Sequence, residues 1–472
     1  MGNSPHIASI HVLDDDSLLN IFYLYRPSFL GEDEVDAYRL RGGRMPWDQG
    51  HWWYRLAHVC QRWRNLILGS PSYLRLSLVC TNSTPVQNML AHSPPLPLTV
   101  DYSSRGGITA GDEEGILLAL EQRDRIRHLR LVLPVQNLRK LVMAIDGEFP
   151  ILEYLIVDPL MVDSTALMLS ETLQAPNLRH LTLRRFAFPI RPRLHPAAAS
   201  LVTLHLVINH PSSYFQPNIL LQWISFMPQL ESLAIGFSFP VPNRDVTHTP
   251  ITTHVALPNL RFFWFRGVSA YLEAVVCRMT TPRLENLQIR FFKQLTFSVP
   301  RLEQFMSITG NFRSNNALIK VKDKRIDVMM YFRGADMYAF GLTVHCCHLD
   351  WQVSSVAQIS SALSQVFSAV EHLTLQHKIH GQSSEAHNDA DRIEWRKLLR
   401  SFSNVKTLRV EDGLVEELSR SLRLEGGELP LELLPKLQEL TYIGRRYYGD
   451  AFTSFSNSRK NAGRPVTLVR HS

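Results

Sequence analysis

The sequence predicts an α+β or α/β solenoid, with a small three-helix module at the N-terminus and an irregular array of strand-bearing repeats behind it. Three observations carry this expectation. The chain has 472 residues, which at roughly 150 residues per domain means about three domains or one elongated array. It is 45% hydrophobic, 10% aromatic and 20% charged, enough apolar surface for a sizeable core and a poor match to a disordered chain. A short apolar phrase also returns along most of its length.

The first element is a helix. Leu13-Asp-Asp-Asp-Ser17 supplies acids that cap a helix start, and Leu18, Leu19, Ile21 and Phe22 then fall over one and a half turns. From Trp53 to Leu68 apolar residues recur at helical spacing across two more helices, which Gly69-Ser70-Pro71 ends. Residues 1–78 therefore form one helical unit, with an insertion at 25–52. The insertion holds Glu32, Asp33, Glu34, Asp36, Arg39, Arg41 and Arg44 and reads as a polar surface excursion.

Residues 79–445 follow a different rule. The pattern apolar-x-x-apolar-x-apolar begins at Ile126, Leu152, Leu178, Leu201, Leu230, Leu260 and Leu284, at intervals of 23 to 30 residues, and returns at Val370, Val405 and Leu437. Its end alternates apolar and polar residues, which reads as a short strand with one face inward, and the rest of each period is long enough for a helix or an irregular return. Pro150, Pro176, Pro228, Pro258, Pro282 and Pro435 stand two residues ahead, where proline stops one segment and leads into the next. One such unit cannot bury its apolar face alone; stacked units share a core. Within 303–369 the period is unreadable, although Leu342 to Cys346 alternates like a strand and Val356 to Val370 has helical spacing. Residues 446–472 read as a C-terminal tail.

Little in the chain suggests chemistry. His345-Cys346-Cys347-His348 is the one dense group of soft ligands, but neighbours on a strand point to opposite faces, so a core strand is favoured over a metal site. His377, His380 and His387 sit in polar sequence, and Asp14-Asp15-Asp16 suits a helix N-terminus without a cation. No phosphate-loop, dinucleotide, nucleophile-elbow or zinc-protease motif occurs. No metal, no cofactor and no catalytic residue is expected. Five scattered cysteines do not make a disulfide framework and suit a reducing compartment, cytoplasmic or nuclear. No apolar run is long enough to span a bilayer, so no membrane partner is expected. A net charge of +7, with arginine well ahead of lysine, raises the question of acidic partners. A solvated basic face explains it in one way, and arginine recognition of carboxylate or phosphate in another; nucleic acid is not expected.

The residues also carry resemblances. The repeated phrase resembles a leucine-rich repeat, in a degenerate form: of the positions where that family places Asn or Cys, Leu160, Phe186, Ser238, Val268 and Phe292 depart and Asn209 complies. Leu13, Ile21-Phe22, the run Leu56-x-x-Val59-Cys60-Gln61-Arg62-Trp63-Arg64 and Pro71-Ser72-Tyr73-Leu74 together resemble an F-box, with Asp14 standing where that family has proline. Leu96 to Val100, Leu349 to Gln352, Val370 to Leu373 and Gly463 to Val466 extend the likeness to fungal F-box proteins of mushroom-forming lineages.

The F-box resemblance implies a non-catalytic substrate-recognition subunit of a ubiquitin ligase. The module would bind a Skp1-type adaptor and through it a cullin, and the repeats would bind a protein target. Carried over residue by residue, the adaptor face is Leu13, Leu18, Ile21, Phe22, Leu56, Val59, Cys60, Trp63 and Ile67. These residues could equally cap the end of the array, since repeat proteins need terminal caps, leaving an interaction scaffold without a ligase role. The exposed positions beside each strand's inward residues include Arg184, Phe262, Trp264, Arg266 and Arg290, a mix of aromatic and arginine side chains suited to anchoring a partner. The alternative there is a strand from Phe262 to Phe265 buried on both faces.

Overall fold

The structure is a computed structural model. It describes residues 13–25, 52–160, 167–170, 172–187, 198–209, 211, 214–238, 253–292, 294, 296–309, 312, 314–331, 338–346, 348–378, 389–423, 432–443 and 451–471. Residues 26–51 of the insertion, Cys347, His380 and His387 lie outside these residues. The fold is mixed α/β with mostly parallel strands and, among the described residues, fourteen α-helices and no closed barrel. Two compact units divide the chain: residues 1–182 with 191–197, and residues 183–190 with 198–472.

The first unit begins with α1 (Asp15–Tyr25), α2 (Trp52–Ala57) and α3 (Gln61–Gly69). Asp14 starts α1 by accepting the Ser17 backbone N–H at 2.6 Å, which is what a carboxylate at that position offers and a proline could not. That hydrogen bond holds the Asp14 carboxyl below its ordinary range. Leu18, Phe22 and Ile67 fill the space between the helices, and Phe22 meets Trp63 edge to face at 4.8 Å. Arg62 straps α3 to the start of α1, donating to the Asp15 carboxylate at 2.7 Å and to the Leu13 carbonyl at 2.6 Å.

Then come β1 (Leu78–Cys80), α4 (Val86–His92), β2 (Leu98–Ser103), α5 (Ala110–Glu121), β3 (Ile126–Leu133), α6 (Val135–Ala144), β4 (Tyr154–Pro159), β5 (Leu167–Met168) and β6 (His180–Arg184). Strands β1, β2, β3 and β4 are parallel neighbours in chain order. Each pair is joined through a helix, as parallel pairing requires. Thr109 and Asp112 close a capping box on α5.

The second unit holds β7 (Phe186–Ala187), β8 (Thr203–Ile208), α7 (Pro217–Ile224), β9 (Ser232–Phe237), β10 (Val255–Ala256), β11 (Phe262–Gly267), α8 (Ser269–Val276), β12 (Met279–Thr280) and β13 (Asn286–Phe292). It continues with α9 (Pro300–Thr309), β14 (Asn316–Lys322), β15 (Arg325–Tyr331), β16 (Tyr338–His345), α10 (Leu349–Ala362), α11 (Ser364–Phe367), β17 (His372–Lys378), α12 (Asp389–Arg400), β18 (Thr407–Val410), α13 (Val415–Leu422), β19 (Glu439–Ile443), α14 (Thr453–Asn461) and β20 (Thr467–His471). The segment read as a tail thus contains a helix and a strand, β20, that pairs parallel with β19.

The repeated phrase has a backbone counterpart. At Leu152, Leu178, Leu201, Leu230, Leu260, Leu284, Val370, Val405 and Leu437 the first apolar residue is buried, and its N–H closes a turn onto the carbonyl three residues back. The strand starts two residues later. The N–H groups of the intervening residue and of the strand's first residue then share one carbonyl of the preceding strand's lead-in: Glu231 and Ser232 on Val202, Arg261 and Phe262 on Glu231, Glu285 and Asn286 on Arg261. The proline two residues ahead lacks an N–H and sits where this turn asks for none.

The order of strands explains why 303–369 hid its period. Spatial order in the second unit runs β13, β16, β15, β14, β17. The hairpin β14–β15 and its return β16 are laid down in reverse, with β15 antiparallel to both neighbours, before β17 resumes the parallel series beside β14. Three strands packed into one stretch cannot carry a one-strand repeat. The helical region there starts earlier than the spacing suggests, at Leu349, and breaks between α10 and α11.

Along β11 and β14, and along β13 as far as Phe291, burial alternates, with the apolar side in the core and the other side half exposed; Phe292, on that other side of β13, is buried. In β9 both sides are buried, so its polar Ser232 lies in the interior, where its hydroxyl shares a hydrogen bond of 2.8 Å with His205 Nε2.

Candidate functional site in the second unit and the helical module

Parallel register turns a sequence pattern into rows of side chains across a sheet. In the second unit, Phe262, Trp264 and Arg266 point to the half-exposed side of β11, and their register partners on β13 are Asn286, Gln288 and Arg290. The strand Phe262 to Phe265 is therefore buried on one face only. Arg290 is in turn beside Thr343 of β16, and Thr343 is beside Asp327 of β15. Phe292 is beside His345. Because β15 runs opposite to its neighbours, its first residue, Arg325, lands at the carboxyl ends of β13 and β16. That end of the face thus gathers Arg266, Arg290, Arg325, Lys322 and His345.

Two rings hold the arginines in place. The Arg290 guanidinium lies 5.9 Å from the Trp264 ring centroid, and that of Arg266 lies 5.5 Å from Phe292. Trp264 gains its position from Gly236: a Cβ there would come within 2.7 Å of the Trp264 ring. Asp327 is spoken for. It accepts from Lys322 at 2.6 Å and from the Thr343 hydroxyl at 2.9 Å, and Arg325 stands 3.3 Å away. Burial works against its ionisation, but these donors and charges outweigh it and hold the carboxyl below its ordinary range.

Among the described residues, neither Arg266 nor Arg290 has a carboxylate within ion-pair distance, and the Nε atoms of Arg266 and Arg290 and Nε2 of His345 are out of water with no hydrogen-bond partner, whereas Arg325 Nε faces the Asp327 carboxylate. Burial lowers the Arg266 pKa, and the neighbouring charges of Arg290 and Arg185 lower it further; burial and then Arg325 do the same to Arg290. Burial and the charges of Arg290, Arg266 and Arg325 push His345 down to about 4, so its ring is neutral at pH 7.

Of the five residues expected on this face, the structure brings Trp264, Arg266 and Arg290 together. Phe262 lies half buried at the opposite end of β11, 6.4 Å from the His205 ring. Arg184, at the end of β6, is separated from β11 by β8 and β9 in the sheet order. Sequence reasoning missed Arg325, Lys322 and His345, because only the reversed strand order brings them alongside β13. His345 ends β16, Cys346 follows it, His348 precedes α10, and among the described residues no three His, Cys, Asp or Glu side chains are placed to hold a metal ion.

The helical module divides its expected adaptor face in two. Leu18, Phe22 and Ile67 are its interior and offer no surface. Ile21 and Val59 are 43% and 59% exposed, and Leu13, Leu56, Cys60 and Trp63 are half buried. Leu24, at 80% exposure, adds to the apolar surface on α1; the resemblance did not point to it. No described helix is long and apolar enough to cross a membrane.

No protein-family model matches the chain, and no curated protein sequence matches it. What the chain shows is a mixed α/β fold with mostly parallel strands, preceded by three helices.

Proposed function

We propose that the chain is the substrate-recognition subunit of a Skp1-cullin-F-box type ubiquitin ligase, non-catalytic and acting in the cytoplasm or nucleus. The helical module takes a Skp1-type adaptor, which links it to a cullin. A degenerate leucine-rich-repeat-like solenoid selects a protein substrate. The observation that carries this reading is the apolar pair Ile21 and Val59, exposed on a three-helix module that directly precedes the strand-bearing repeats. A small helical unit that leaves such side chains in water has an interface or a liability. Half-buried Leu13, Leu56, Cys60 and Trp63 lie in the same module to extend it.

A scaffold without a ligase role has its own support. Trp53 Nε1 donates to the Ser77 carbonyl at 3.3 Å, and Leu74 and Leu76 are buried on the way into β1, so the module is also tied to the edge strand β1 as a cap would be. Co-expression with a Skp1-type adaptor and size-exclusion chromatography separates the two. Co-elution that Ile21→Asp with Val59→Asp abolishes supports the receptor reading. A well-folded wild type that elutes alone leaves the scaffold.

A further inference from the structure

We infer that the cationic cluster at the carboxyl ends of β11, β13 and β16 is a binding site for a multiply charged oxyanion of phosphate chemistry. The inference stands on the sheet face itself. If the receptor reading holds, it also names the chemistry that this face recognises.

The argument begins with charge. Arg266 and Arg290 are direct register partners on adjacent parallel strands, which places their backbones about 4.8 Å apart. Like charges facing each other across a ladder oppose folding. Arg185 adds its field to Arg266, and Arg325 adds its field to Arg290. The acid packed against this group is Asp327, already engaged by Lys322, Thr343 and Arg325. Lys320 is the register partner of Asp327 on β14. Among the described residues, the cluster therefore holds more positive charge than Asp327 balances.

Desolvation separates this from an ordinary solvated basic face. A surface arginine leaves its guanidinium in water, where its donors are satisfied. Here, among the described residues, the Nε atoms of Arg266 and Arg290 and Nε2 of His345 are dry and without a hydrogen-bond partner, a state that calls for an explanation in a folded protein. The half-buried guanidinium groups keep their remaining exposure for a ligand, and the rings of Trp264 and Phe292 fix their planes. Guanidinium matches the paired oxygens of a phosphate in geometry as well as in charge. The group spreads over β11, β13, β16 and β15, a span of about 15 Å at the usual strand spacing, which is wider than one phosphate and suits a ligand with two or more, or a phosphate carried on a larger molecule.

The test uses the full chain without any adaptor, so its failure leaves adaptor docking untouched. Sodium pyrophosphate, inorganic phosphate, and a phosphoserine peptide with its unphosphorylated twin are titrated by calorimetry at constant ionic strength, against wild type and Arg266→Gln with Arg290→Gln. Saturable binding to wild type that weakens at least tenfold in the variant is expected. The variant should melt at or above the wild-type temperature, since it removes uncompensated charge. A preference for the phosphopeptide over pyrophosphate assigns the phosphate to a protein side chain, and the reverse preference to a small phosphate compound; either supports the site. Absence of saturable binding by every phosphate probe overturns it, as does binding that the folded variant retains.

Discussion

Phe22 and Ile21 are neighbours on one helix, and the account assigns them opposite roles. Phe22 is 1% exposed and meets Trp63 at 4.8 Å; Ile21 is 43% exposed. Truncating a buried phenylalanine to alanine costs about 3–5 kcal/mol, through lost transfer energy and the cavity left behind. At about 1.4 kcal/mol per factor of ten, Phe22→Ala should raise the opening equilibrium of α1 to α3 by roughly two to three and a half orders of magnitude. The module is small, so this loss should show as local opening before the sheets melt. Ile21→Asp removes no core contact and should change stability by no more than about 0.5–1 kcal/mol. Urea titration with hydrogen exchange read on peptides covering 13–25 and 52–69 measures both. A Phe22→Ala variant no less protected than Ile21→Asp would refute the placement of Phe22 in the core. The comparison also shows why docking should be probed at Ile21 and Val59: a substitution at Phe22 confounds loss of an interface with loss of the fold.

His345 makes acid stability a test of the cationic cluster. Its folded value of about 4 lies below the ordinary 6.5. The unfolded chain therefore binds the extra proton between these values, and stability falls as pH drops from about 6.5 towards 4. Allowing for solvent screening of a half-buried ring, the effect is about 1–2 kcal/mol. His345→Gln should flatten that part of a stability-against-pH curve measured by urea unfolding, and an unchanged slope would contradict the assignment. Gly236→Ala should cost about 1–3 kcal/mol, because the added methyl meets the Trp264 ring at 2.7 Å. It should also displace that ring from Arg290, weakening any phosphate binding, whereas an unaltered midpoint would show that the close approach is not needed.

Much of the fold is legible in the chain because each repeat states its own local rule. Leu152, Leu178, Leu230, Leu260, Leu284 and Leu437 are buried, the turn that each N–H closes contains a proline two residues ahead, and the strand follows at a fixed offset. The reversed order of β16, β15 and β14 is not legible, since hairpin pairing depends on partners distant in sequence that no local periodicity records. The same gap limits the site. Trp264, Arg266 and Arg290 share one side of neighbouring strands and can be read from alternation; Arg325 and His345 join them only through the antiparallel insertion. Leu18 and Phe22 illustrate another limit. Helical spacing marks a face as apolar, but it does not say whether that face meets its own module or a partner.

Peptide-level hydrogen exchange of the chain alone and with a Skp1-type adaptor tests the central claim most directly. The account predicts that the adaptor slows exchange across 13–25 and 52–69, with the protection lost in the Ile21→Asp, Val59→Asp variant and the strands from β8 to β20 unchanged. Protection of those sheet strands in place of the module, or no change anywhere with a folded chain, would contradict it.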